Sequence, residues 1–260
     1  MATASAPQAS RIALHVRGNW SARDDRVPST VWLGILWLGM IVGFGVDLSG
    51  FRQAPYAPLK VIWVHAFVFT LWMVLLTVQV LLVLRDRVAW HRKFGWFAAA
   101  WACLMAVMGP WAAIAAQVVA IHTPYYDPSF LSVQLLNMVE FLSLLAWGLT
   151  LRKNPAAHRR IMILSTISLA DPGFSRFSGW LWPTEPTSPF VWFFYVFYGN
   201  TLLILLMAAW DWWRGRLMRS FVIGATALLA AESVATFFYF WGPSKTAAAA
   251  FIASIAKLQI

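Results

Sequence analysis

The chain has 260 residues, 60% of them hydrophobic and only 12% charged, with 17 tryptophans. Soluble domains carry about 25% charged residues, so this composition excludes an ordinary water-soluble globule and points to a membrane protein. The net charge of +10 does not argue for nucleic acid, because the basic residues form short clusters between apolar runs, as membrane topology requires.

Residues 1–28 are polar, with Arg11, Arg17, Arg23, Arg26, Asp24 and Asp25. They lack an apolar core followed by a small-residue cleavage site, so no removed signal peptide is expected. The segment reads as a polar cytoplasmic tail in which His15 is solvated. Residues 29–243 then read as an all-α, polytopic transmembrane bundle. Its seven spans lie near Thr30–Leu48, Leu59–Leu84, Phe94–Ile121, Phe130–Leu151, His158–Trp182, Pro189–Trp212 and Met218–Trp241, each close to the roughly 20 residues that cross a bilayer core. The fifth is the weakest, because Asp171-Pro172-Gly173 and Arg176 interrupt it. Residues 244–260 read as a short amphipathic helix lying on the surface or against the bundle. The single cysteine, Cys103, excludes an intrachain disulfide and a thiolate zinc site.

With the N-terminus inside, 15 of the 20 basic residues fall on the cytoplasmic side, and Arg52, Lys60, Arg176, Lys245 and Lys257 remain. That bias is a positive-inside signal for a bacterial inner membrane. Trp180, Trp182, Trp192 and Trp241 at the outer ends, with Trp90, Trp212 and Trp213 at the inner ends, read as interfacial anchors. Pro124 to Pro128, then Pro183, Glu185, Pro186 and Pro189, read as stiff outer turns.

One motif occurs twice. Leu84-Arg85, three residues, then Ala89-Trp90-His91-Arg92-Lys93 is echoed by Leu151-Arg152, three residues, then Ala156-Ala157-His158-Arg159-Arg160. Each copy joins two apolar runs. Asn154-Pro155 predicts a capped helix start with proline at the first helical position, and Asp86 is the equivalent cap candidate before His91.

Polar groups inside hydrocarbon usually face the bundle interior and mark function. The second span carries His65, Trp72 and Gln79 at seven-residue spacing, a face that should look inward. The fourth carries Gln134, Asn137 and Glu140, the fifth Asp171 and Arg176, the sixth Asn200 and the seventh Glu232. Together they can line one polar seam. In one reading Arg176 neutralises Asp171 or a glutamate and the amides satisfy one another across helices; in another, Glu140 or Glu232 carries protons. Gly109-Pro110 predicts a kink in the third span.

His91 and His158 open helices at the same inner depth, as two axial ligands of a b-type haem would. Arg92, Arg159, Arg160 and Lys93 are then candidates for the propionates. His65, about 9 Å inside its span at 1.5 Å per residue, and His122 at the outer boundary make a poorer pair. The competing reading gives the basic helix starts to anionic lipid head groups. No Gly-rich phosphate loop, nucleophile elbow or His-Glu-x-x-His site occurs.

At His65, Trp72, Gln79 and His91-Arg92-x-x-Gly95, and again at His158-Arg159-Arg160-Ile161-Met162 with Ser165 to Leu169, the chain resembles a family of uncharacterised bacterial multi-pass membrane proteins, a domain of unknown function. The resemblance covers roughly the second to fifth spans and implies the fold more than an activity. The His-bearing hairpins are also distantly similar to b-type membrane cytochromes, which implies one haem at most, since only the inner pair matches. The expected function is membrane electron transfer through one haem b held by His91 and His158, with a quinone or a membrane complex as partner. The alternative is an accessory subunit, or a small-solute or proton carrier using Glu140, Asp171 and Glu232.

Overall fold

A computed structural model of the chain describes residues 13–16, 22–178, 182 and 184–258. Trp180 and Pro183, and most of the expected N-terminal tail, lie outside the described residues.

The described chain is built from helices. A short strand β1 (Ala13–Val16) leads into a 3-10 turn at Ala22–Asp25, and then come α1 (Arg26–Val46), a short α2 (Leu48–Gln53), α3 (Lys60–Leu84), α4 (Val88–Ala120), α5 (Phe130–Thr150) and α6 (Pro155–Phe174). A break separates α6 from α7 (Pro189–Trp213), which is followed by β2 (Arg216–Met218), α8 (Arg219–Phe240) and α9 (Gly242–Leu258).

Among the described residues, six helices are long and apolar enough to cross a membrane: α1 with its leading turn, α3, α4, α5 with its trailing turn, α7 and α8. Their outer faces expose Leu38, Ile41, Phe67, Trp96, Val107, Leu205 and Ile223. Apolar side chains on that scale suit a hydrocarbon solvent rather than water.

Helix α6 stands at the sequence segment of the fifth expected span, but it is not among those six. It runs through the middle of the bundle and packs against α1, α5, α7 and α8. Thirteen of its 20 residues are buried, including Arg160, Ser165, Thr166, Ser168 and Asp171. A helix sheathed by other helices meets little lipid, so it can be polar where its neighbours cannot. It also stops at Phe174 rather than at Trp182. Pro172 lies in its last turn, a 3-10 turn at Ser175–Phe177 follows, and the Tyr198 hydroxyl donates to the freed Phe174 carbonyl at 2.8 Å.

Close approach to α6 depends on glycine. A Cβ on Gly43 of α1 would fall within the Gly173 backbone, and one on Gly39 or Gly199 would overlap the Phe174 ring. Small residues at such crossings let helices associate where no hydrophobic force drives them together.

The segment expected as a solvated tail contributes structure instead. Strand β1 pairs antiparallel with β2, His15 opposite Leu217, and helix α1 begins at Arg26 rather than near Thr30. At the other terminus, α9 lies against α4, α5 and α8, and its Ile252 is fully buried beside Ala113 and Leu131. Trp192, expected as an interfacial anchor, is 1% exposed. It stacks on Tyr239 at 4.0 Å, and its indole N–H donates to Glu185 at 2.8 Å.

Gly43→Ile should force α1 away from α6 and destabilise the protein by about 1–3 kcal/mol, the usual effect of overpacking. Thermal melting in detergent should show the loss, while Gly34→Ile, at a position with open space around its Cα, should leave the melt nearly unchanged.

Candidate functional site

Polar groups gather in three places: a histidine pair and an ion cluster at the end of the bundle that holds the basic turns, and a carboxyl seam near its middle.

The repeated motif brings its two histidines together although its two turns differ. Asp86 adopts a left-handed backbone, φ 57°. It does not cap α4; its carboxylate accepts from Arg26 at 2.6 Å, and Arg26 holds the Asp86 carboxyl below the usual carboxylate range. Asn154, by contrast, caps α6 by accepting from the Ala157 N–H at 3.3 Å, ahead of Pro155. Both histidines nonetheless occupy the same helical register. The N–H of His91 donates to the Arg87 carbonyl at 3.0 Å and that of His158 to the Asn154 carbonyl at 2.9 Å. Their rings meet edge to face, centroids 6.2 Å apart.

Each ring has one nitrogen fixed. Nδ1 of His158 lies 2.7 Å from the Gly148 carbonyl, which can only accept, so Nδ1 carries the proton. With the Gln79 amide oriented to suit its neighbours, its NH2 donates to His91 Nδ1 at 2.6 Å and to the His91 carbonyl at 3.0 Å, while its oxygen accepts from the Gly95 N–H at 3.2 Å. Neutral His91 then holds its proton on Nε2. The two rings are opposite tautomers, one Nε2 a donor and the other an acceptor. His65 is not part of this pair; it stacks on Phe69 at 4.1 Å on the inward face of α3. On the same face Trp72 is buried, and its indole N–H donates to Thr166 at 3.3 Å.

The ion cluster was not legible as such. Arg160, 4% exposed, donates to Asp211 through Nε at 2.5 Å and NH2 at 2.9 Å, and to Asp25 through NH1 at 2.6 Å and NH2 at 3.3 Å. Arg216 of β2 approaches Asp25 at 3.3 Å and Asp211 at 4.0 Å. Burial pulls its guanidinium below its ordinary value, and Asp25 opposes that pull. Arg159 stands 3.7 Å from Asp25. Of the basic residues that the haem reading assigned to propionates, Arg160 is thus fully engaged by two carboxylates, whereas Arg92 is exposed. Asp25, Asp211 and Arg216 escaped the sequence reading. Asp25 sits in a run that looks like a tail, and Asp211 at a span end among interfacial tryptophans.

The seam lies deeper. Asn137 of α5 donates to Asp171 of α6 at 3.5 Å, and Asn200 of α7 donates to Glu232 of α8 at 2.8 Å. Glu140, one turn beyond Asn137, is buried, and neither of its carboxyl oxygens has a hydrogen-bond partner among the described residues. All five side chains are buried. Arg176 is not their counter-ion: it donates to Asp47 at 2.9 Å and to the Pro172 carbonyl, and covers the Phe44 ring at 4.0 Å. Gln134 stands apart, its buried side-chain oxygen without a hydrogen-bond partner among the described residues. Of the residues expected in one polar seam, Asn137 pairs with Asp171 and Asn200 with Glu232, whereas Gln79 serves His91 and Arg176 serves Asp47.

No protein-family model, curated protein or solved structure matches the chain.

Arg160→Ala would leave Asp25 and Asp211 buried without their main partner and should destabilise the protein by about 3–5 kcal/mol. Arg160→Lys should recover only part of this, because an ammonium lacks the planar fork that serves two carboxylates at once. Denaturation midpoints of the two variants in one detergent give the comparison.

Proposed function

We propose that this chain is a seven-span protein of a bacterial inner membrane, N-terminus cytoplasmic, that carries protons through its interior along helix α6. One observation carries the reading. Three carboxyl groups, Glu140, Asp171 and Glu232, lie in the depth of the bundle, and among the described residues none of them has a cation as a hydrogen-bond or ion-pair partner. A structural role would favour pairing such groups, since an uncompensated buried charge is costly. Groups that gain and release a proton are better left without a fixed counter-ion.

The polar content of α6 supports the same reading. Between Asp171 and the histidine pair it presents the hydroxyls of Ser165, Thr166 and Ser168, all buried. In a helix rising 1.5 Å per residue, the 13 residues from His158 to Asp171 span about 20 Å, most of a bilayer core of about 30 Å. His91 and His158, with opposite tautomers, suit the inner mouth of such a relay. The six apolar helices supply the insulating sheath.

In proteoliposomes with an internal pH dye, an imposed potential should drive proton entry above that of protein-free vesicles. Glu140→Gln and Glu232→Gln should each lower that flux by about tenfold or more, the scale of losing one positioned proton-transfer group. Wild-type flux equal to empty vesicles would overturn the reading.

A second reading rests on the 6.2 Å separation of the His91 and His158 rings, a spacing compatible with two axial imidazoles. Bound between them, haem b would supply one-electron chemistry. Gln79 would have to turn its amide oxygen towards His91 Nδ1, so that Nε2 is free to ligate. Arg92 and Lys93, both exposed, are the side chains left for the propionates. An absorption spectrum of protein from haem-supplied cells decides this: a sharp dithionite-reduced band, absent in His91→Ala and His158→Ala, supports electron transfer to a quinone or a complex partner, and a featureless spectrum removes it.

A further inference from the structure

The repeated motif carries the same residue types at two turns, and the bundle leaves only one copy open to its surroundings. In the second copy Ala156 and Ala157 are buried. There Arg160 is taken by Asp25 and Asp211, and Arg159 stands 3.7 Å from Asp25. Helix α6 starts among other helices, so its arginines turn inward. In the first copy the equivalent residues Ala89, Trp90, Arg92 and Lys93 are all exposed, as are Arg85 and Arg87 just before them. The one acid of that turn, Asp86, is spent on Arg26. Among the described residues no carboxylate forms an ion pair with Arg85, Arg87, Arg92 or Lys93.

Helix length sets the depth of this patch. Helix α4 has 33 residues, about 50 Å at 1.5 Å per residue, whereas a bilayer core is about 30 Å thick and reaches about 40–45 Å with its head-group layers. The ends of α4 therefore stand among head groups. Trp90, Phe94, Phe97, Leu104 and Trp111 follow one another at helical steps and are all exposed, so they form one lipid-facing stripe. Lys93 lies on that stripe, and its ammonium reaches back over the Trp90 ring, 5.1 Å from the centroid. A lysine that shares a face with lipid-exposed side chains directs its charge to the interface in this way, and an indole anchors at the same level.

We infer that the turn between α3 and α4 is a docking surface for an anionic phospholipid of the adjoining leaflet, its phosphate met by Lys93 and Arg92 with Arg85 and Arg87 beside them, and that the turn between α5 and α6 is not. Charge complementarity selects the class of lipid. Four exposed cations within the nine residues from Arg85 to Lys93 attract a head group of net negative charge, whereas a zwitterionic head group brings its own ammonium to the same place. Each such cation is worth about a fivefold gain in affinity near an anionic surface. Continuity with the apolar stripe selects a lipid over free phosphate, because acyl chains attached to the phosphate lie along Phe94 and Phe97 while the head group meets Lys93.

The surface is independent of proton or electron transfer and stands or falls by itself. The test is native mass spectrometry of the purified protein released from detergent micelles that hold phosphatidylglycerol and phosphatidylcholine in equal amounts. Retention of phosphatidylglycerol in preference to phosphatidylcholine is the expected result. The double variant Arg92→Gln with Lys93→Gln should weaken that retention by about fivefold for each charge removed. Arg152→Gln with Lys153→Gln removes the same charge from the other turn and should leave it nearly unchanged. Melting in detergent checks that both doubles are folded, and Lys93→Gln alone, with about a fivefold loss, replaces the first double if it is not. Equal retention of the two lipids, no loss in the folded first-turn variant, or equal losses in the two doubles overturns the inference. Displacement of the lipid by an equal concentration of inorganic phosphate also overturns it, by showing a site for a free anion. A bound haem would register as its own mass, so lipid and haem uses of Arg92 and Lys93 are told apart in the same spectrum.

Discussion

Arg160 imposes the constraint on which the bundle depends. A guanidinium on the innermost helix of an apolar protein has to be met by carboxylates, and the two that meet it come from distant parts of the chain: Asp25 just before α1 and Asp211 at the end of α7. Satisfying one side chain therefore fixes where the first helix enters and where the seventh ends, and brings Arg216 and β2 in beside them. Bidentate pairing favours arginine over lysine here. Strand β1 completes the arrangement by pairing with β2.

Along the same helix the bundle treats charge in two opposite ways. At one end Arg160 has every donor group used and two acids satisfied. About three turns away Asp171 has a single amide donor, and Glu140 has none. Stability alone would favour the first treatment everywhere, because half-satisfied polar groups weaken a core. A protein that keeps both has an anchored end and a middle whose carboxyls have no paired cation among the described residues, and that contrast is the physical ground for the proposed transport reading.

The duplicated motif shows that similar sequences do not enforce similar turns. One copy reverses through a left-handed Asp86 bound to Arg26, the other through a 3-10 turn and an Asn154 cap. What the copies share is the four-residue step from the residue just before the helix, Arg87 or Asn154, to the histidine. Two helices that begin at one level and pack through a common neighbour then bring the rings of His91 and His158 together edge to face. Gln79, on α3, completes the pair by fixing one ring while the Gly148 carbonyl fixes the other.

Much of the architecture was already legible in the amino-acid sequence, because lipid demands long apolar helices and leaves a plain record in hydropathy. The position of every long helix, the Asn154 cap and the burial of Asn137, Glu140, Asp171, Asn200 and Glu232 follow from local rules of that kind. Tertiary structure alone decided the rest. Hydropathy treats α6 as a defective span, whereas packing makes it the centre, since burial by other helices permits polarity that lipid forbids. Asp25 and Asp211 read as a tail residue and a span end until Arg160 draws them inward, and Trp192 reads as an anchor until Tyr239 covers it. Arg176 passes over Asp171 for Asp47. Pairing between residues more than a hundred positions apart, as between Asp25 and Arg160, leaves no periodicity along the chain, so only the folded geometry reveals it.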